Sequence, residues 1–229
     1  GSDGAWFNGS SLATPHVAGA AALALQAHPD WNATEIKALL LNTAKPIRHK
    51  NGSVYPESLA GAGFLDVAQA VETNVTIMAE DSDGLTTLSL GALSLSKPIN
   101  ITKKIKITNH SNTPVSFEME VEETIGEEGF SVTLPIDRSV QVEANSNKLI
   151  TIIFHANPNE FDRIGDTITP NTINGRARSW VYEVSGKIRF NGKENTLRLP
   201  YHALVRSAAE KKTTVSQIGL PNQDIVPFS

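Results

Sequence analysis

Asn8-Gly9-Ser10-Ser11-Leu12-Ala13-Thr14-Pro15-His16-Val17-Ala18-Gly19 is the stretch on which the reading of this chain turns. A glycine–serine turn runs straight into residues 17–27, which are small and apolar almost throughout. Glycine bends a backbone where a side chain could not follow. A serine at the mouth of a helix lies beside N–H groups that have no intrahelical acceptor and that favour negative charge. Acyl transfer needs that pairing: a nucleophilic hydroxyl, with donors aimed at the oxyanion it creates. The missing N–H of Pro15 is harmless only within about the first four helical positions, so the helix is expected to begin near Ser11 or Leu12. A helix that is apolar nearly all round belongs inside a larger domain.

Residues 9–19 resemble the serine signature of the subtilisin-like proteases, Gly-Thr-Ser-Met-Ala-(Ser/Thr)-Pro-His-Val-Ala-Gly. Ser10 stands where the signature has threonine, and Leu12 where it has methionine. The resemblance implies that Ser11 is the catalytic nucleophile and that its own backbone N–H is one oxyanion donor. It implies a structural role for His16, not that of the base. A Ser-His-Asp mechanism needs a base and a carboxylate to orient it. In the subtilisin order both precede the serine, and no histidine precedes Ser11 here. The resemblance therefore implies that the aspartate, the histidine and the side-chain oxyanion donor lie upstream. The chain is then the C-terminal part of a secreted subtilisin-like serine endopeptidase acting on protein or peptide substrates, and it is expected to be inactive alone. One alternative is a non-catalytic β-sandwich interaction module carrying a degenerate protease remnant. An unrelated hydrolase with a Gly-x-Ser-x-Gly elbow is disfavoured, because Ala13 occupies the last position of that pattern.

Composition narrows the partners. At 229 residues, with 40% hydrophobic and 6% aromatic residues, the chain has an ordinary globular make-up for one large domain or two modest ones. A net charge of -4 argues against a nucleic-acid surface or a basic membrane patch. No apolar run approaches the length of a bilayer span. Without cysteine there are no disulfides and no thiolate metal sites. No cofactor is required for serine acyl transfer. Calcium, if bound, is expected to act structurally: the cluster Glu118, Glu120, Glu122, Glu123, Glu127 and Glu128 lacks the Asp-x-Asp spacing of a loop site and reads as a solvated strand face. Asn-x-Ser/Thr acceptors occur at Asn8, Asn32, Asn51, Asn74, Asn100 and Asn109, and in an Asn-rich chain they carry little weight.

Further along, Asn32 followed by Glu35 reads as a capping box. Ile36, Leu39, Leu40 and Thr43 then fall at helical spacing, which predicts a helix over 32–44. Residues 45–59 read as polar and irregular. Gly61-Ala62-Gly63-Phe64-Leu65-Asp66 resembles the Gly-x-Gly-x-(Val/Leu)-(Asp/Asn) element that closes subtilisin-like catalytic domains, and Asp66 is the expected N-cap of a helix over 67–72. Beyond Asn74 the period becomes alternating: Ile99, Ile101, Ile105 and Ile107; Val115, Phe117, Met119 and Val121; Trp180, Tyr182, Val184, Ile188 and Phe190; Leu197, Leu199, Tyr201, Ala203 and Val205. The expected fold is an α/β subtilisin-like catalytic domain, present as its C-terminal helices only, followed by an all-β antiparallel sandwich that resembles a fibronectin type III-like domain. The expected units are 1–72 for the catalytic part, 73–84 for a linker, 85–206 for the sandwich and 207–229 for a tail or linker, with 162–177 as a long surface loop. On this division 85–206 should survive proteolysis while 1–72 is digested.

Overall fold

Gly9 turns the chain into the first helix at φ 133, a conformation that favours glycine. A computed structural model describes residues 9–80, 85–161, 172–177, 181–208, 217–218 and 226–227. Asn8, Trp180, most of the expected loop 162–177 and most of the expected tail 207–229 therefore lie outside the described residues. Helix α1 (Ser10–Ala27) starts slightly earlier than expected and takes Pro15 inside. The Ser11 carbonyl thus lacks its usual backbone donor.

Helix α2 (Ala33–Asn42) is set by its cap. Asn32 Oδ1 accepts from the N–H of Thr34 at 2.9 Å and of Glu35 at 3.0 Å, and Glu35 Oε2 accepts from the Asn32 N–H at 2.8 Å. The predicted stripe Ile36, Leu39, Leu40 and Thr43 is buried. Helix α3 (Glu57–Ala60) is a single turn inside the segment expected to be irregular. Helix α4 (Val67–Glu72) is capped by Asp66, which accepts from the Gln69 N–H at 3.3 Å. Ala20, Ala24, Ile36, Leu39, Leu40 and Ala70 pack into one small helical core.

The strands follow as β1 (Val75–Ala79), β2 (Leu88–Leu95), β3 (Ile99–Asn109), β4 (Val115–Ile125), β5 (Phe130–Thr133), β6 (Ser139–Val142), β7 (Ser146–Ala156), the short pair β8 (Thr172–Ile173) and β9 (Arg176–Ala177), β10 (Tyr182–Asn191) and β11 (Thr196–Ser207), with a second short pair at Gln217–Ile218 and Val226–Pro227. One sheet has the order β1-β3-β7-β5 and the other β2-β11-β10-β4-β6. Residues from both, including Ile107, Ile152 and Phe154 of the first and Val184, Leu199 and Tyr201 of the second, form one continuous core. The described chain is mostly β-sheet with few helices.

Two expectations are corrected. The sheets are not wholly antiparallel, because β2 runs parallel to β11. Alternation records which face a side chain takes but not the direction of the neighbouring strand. Nor is 73–84 simply a linker, since Val75–Ala79 pairs with Ile105–Asn109 in the first sheet. The strand was hidden because Val75, Thr76 and Ile77 are all buried, so no polar alternation marks it. Of the acidic stretch, Glu118, Glu120, Glu122 and Glu123 lie on β4, with Glu118 and Glu120 exposed, and Arg189 of β10 lies 3.4 Å from Glu120 and 3.8 Å from Glu122; Glu127 and Glu128 follow the strand. Asn109 is closed to modification: it is buried, and its amide nitrogen donates to the carbonyls of Thr113, Val142 and Glu143.

Candidate active site

Ser11 sits in the first turn of α1, exposed, directly after the Gly9 bend. The Leu12 and Ala13 N–H groups bond the Gly9 carbonyl at 3.1 and 3.3 Å. The Ser10 and Ser11 N–H groups have no acceptor among the described residues. These are the donors a helix start leaves pointing outward, and they lie beside both hydroxyls. Thr14 Oγ1 donates to the Ser10 carbonyl at 2.9 Å, which ties up one hydroxyl of the turn.

No histidine among the described residues bonds Ser11. His16 donates from Nδ1 to the Leu12 carbonyl of its own helix at 2.6 Å, and it is exposed. His28 ends α1, roughly 25 Å from Ser11 at the rise of an α-helix. It stacks on Trp31 with centroids 4.2 Å apart, and Trp31 in turn packs on His110 at 4.2 Å. Burial depresses the His110 imidazole below its ordinary 6.5, with Glu35 opposing the shift and His28 reinforcing it. His49 stacks on Tyr55, His155 lies between Asn100 and Thr133, and His202 is 3.7 Å from Glu183. Among the described residues, Ser11 is thus exposed at a helix start with no histidine hydrogen-bonded to it.

Helix α1 is only thinly supported. Ala20 and Ala24 alone are buried, while Leu12, Val17, Leu23 and Leu25 are between 39% and 50% exposed. An apolar groove of about 640 Å³ runs between α1 and α2, lined by Val17, Ala21, Leu25, Trp31, Ile36 and Leu40 among others. Because the helix is apolar nearly all round, packing one side of it leaves apolar side chains on the other.

The structure also shows polar groups that sequence reasoning passed over. Glu57 and Lys187 form a buried ion pair across 130 residues of chain, and Asn42 is fully buried between the two sheets. Nothing local marks either: Lys187 falls in the polar phase of β10 with Glu183, Ser185 and Arg189, so its burial is not signalled by the strand pattern.

Residues 5–64 match the Subtilase family. The minor extracellular protease Vpr of Bacillus subtilis (strain 168) is 41% identical over 66 residues, covering 29% of this chain and 8% of that protein. Subtilisin BL of Lederbergia lenta is 47% identical over 70 residues, covering 31% and 23%. The subtilisin-like protease SBT1.6 of Arabidopsis thaliana is 33% identical over 90 residues, covering 36% and 12%. The chain spans less than a quarter of the length of each of these relatives. Among solved structures, the CooA pilin subunit of enterotoxigenic Escherichia coli aligns at 11% identity and a TM-score of 0.36, over 59% of this chain and 99% of that one. A likeness at that level carries no argument. Among the described residues no helix is long and apolar enough to cross a membrane. The N-terminal quarter of the chain is thus similar to the subtilases, and that similarity supports a protease-related function.

Proposed function

We propose that the chain is the C-terminal part of a secreted subtilisin-like serine endopeptidase, with Ser11 as its nucleophile. The observation that carries this reading is the exposed Ser11 in the first turn of α1, beside N–H groups that have no acceptor among the described residues. Ser11 Oγ attacks the carbonyl carbon of a peptide bond, its proton passes to a histidine supplied upstream, and an upstream aspartate orients that histidine. The Ser11 N–H donates to the oxyanion that forms. The upstream part of the catalytic domain covers the apolar face of α1 and the groove beside α2, which removes the exposed leucines and valine from water. The two-sheet sandwich is read as a fibronectin type III-like domain that follows the catalytic part. Protein or peptide chains are the substrates, neither nucleic acid nor a membrane span is involved, and calcium, where bound, supports the fold and takes no part in the chemistry.

A fluorophosphonate probe on an active protein that includes the upstream sequence, followed by peptide mapping, tests the assignment. Label is expected on Ser11. Label on Ser10, or on neither serine, would sink it. Ser11→Ala is expected to lower kcat by on the order of 10⁶, the size of loss that subtilisin's own nucleophile shows. The 229-residue chain alone is expected to turn over no peptide.

A further inference from the structure

The helical segment 32–74 and the sandwich share a polar interior. Asn42, at the end of α2, is 0% exposed and reaches one strand of each sheet. Its Oδ1 accepts from the Ile77 N–H of β1 at 2.8 Å, and its Nδ2 donates to the Arg198 carbonyl of β11 at 3.0 Å. Both are edge positions. Among the described residues, strand β1 ends its sheet, and β2 pairs with β11 only along Tyr201–Ser207, which leaves Arg198 without a strand on that side. One buried amide thus supplies a ladder partner to two sheets whose edges would otherwise be unsatisfied.

A second joint lies on the outer face of the five-stranded sheet. The Lys187 ammonium of β10 pairs with Glu57 Oε1 of α3, and the two side chains are 2% and 3% exposed. Thr124 Oγ1 of β4 also donates to Glu57 Oε1, at 3.1 Å, and beside it Ser58 donates to Glu183 at 2.8 Å. Glu57 Oε2 is buried without a hydrogen-bond partner among the described residues, so this carboxylate depends heavily on Lys187. Around the rim, Gln69 donates to the Thr196 carbonyl at 3.1 Å and Asn195 to Thr73 Oγ1 at 3.0 Å. Separating the segment from the sheet would break this pair, the bonds of Asn42 and the rim contacts together, so the joint opens as a whole.

We propose that residues 32–74 and the β-sandwich form one cooperative folding unit, locked by Asn42 and by the Glu57–Lys187 pair. The sandwich is then a built-in structural partner of the subtilase-like segment and not a separable appendage. This stands apart from the assignment of Ser11, and its test reads no activity.

Limited proteolysis of the 229-residue chain, with fragments weighed by mass spectrometry, should yield a resistant core that begins near Asn32 and extends through β11. A core that begins near Leu85, with 32–72 digested, would overturn the proposal. Lys187→Met should lower the thermal midpoint by on the order of 10 °C, as expected when a buried carboxylate loses its partner. The double variant Glu57→Gln/Lys187→Met should recover part of that loss, whereas simple additivity would count against the lock. Should Lys187→Met fail to fold, hydrogen exchange of the unaltered chain decides. Equal protection of α2 and β10 amides supports one unit, and α2 opening at much lower cost refutes it.

Discussion

Gly63 answers two demands at one position. Its φ of 127 lies in the region that favours glycine, and a Cβ built there would come 2.2 Å from the Lys45 carbonyl oxygen. That approach is needed because Lys45 and Phe64 exchange backbone hydrogen bonds of 2.8 and 2.7 Å, closing the loop that carries α3. Gly63→Ala is therefore expected to destabilise the chain by at least about 2 kcal/mol, measured by denaturant unfolding. The sequence marked this glycine through its place in Gly-Ala-Gly, but the clash that makes it necessary comes from a carbonyl 18 positions earlier. The placement of Ser11 at a helix start was legible for a different reason. Its surroundings, a glycine turn and a helix start, are contiguous in the chain.

At the level of elements, α1 and α2 contrast. Helix α2 has a complete capping box and a buried stripe, both written within the twelve residues from Asn32 to Thr43. Helix α1 has 18 residues, no side-chain cap and two buried alanines. Val17 is 49% exposed and lines the groove beside α2. Val17→Asp is thus expected to change the stability of the 229-residue chain by no more than about 0.5 kcal/mol, since the side chain already meets water. In a protein that includes the upstream catalytic part, the same change would bury an unpaired carboxylate, and soluble yield should collapse. Equal effects in the two proteins, read by thermal melting and expression, would mean that nothing covers this face.

Across the whole molecule, acid should loosen the contact between the helical segment and the sandwich. The folded chain holds His110 below its ordinary 6.5 because burial disfavours the charged ring beside Trp31, and His28 adds repulsion that Glu35 partly offsets. The unfolded chain takes up that proton first as pH falls. The stability contribution is therefore full above about pH 6.5 and is lost as pH drops through the lower folded value. Asp66 adds a loss at lower pH. The hydrogen bond from Lys45, at 2.6 Å, holds its carboxyl below the ordinary 3.8 against the opposing effect of burial. Thermal midpoints recorded from pH 8 to pH 3 should fall in two stages, and His110→Gln should flatten the upper stage alone.

Features that depend on neighbours in the chain could be read directly from it: the serine turn, the capping box of α2, the Asp66 cap, and the alternating strands β3, β4, β10 and β11. Each is a contest among local hydrogen bonds or a period of side chains, so a dozen residues suffice to define it. Other features depended on folding alone. Strand β1 escaped notice because it is covered on both sides, which erases alternation. The parallel entry of β2 beside β11, the amide of Asn42 between two sheets and the pairing of Glu57 with Lys187 all join groups from 35 to more than 100 residues apart. A buried charge or amide is tolerable only opposite its partner, and which partner it meets is decided by how the two sheets and the helices close on one another.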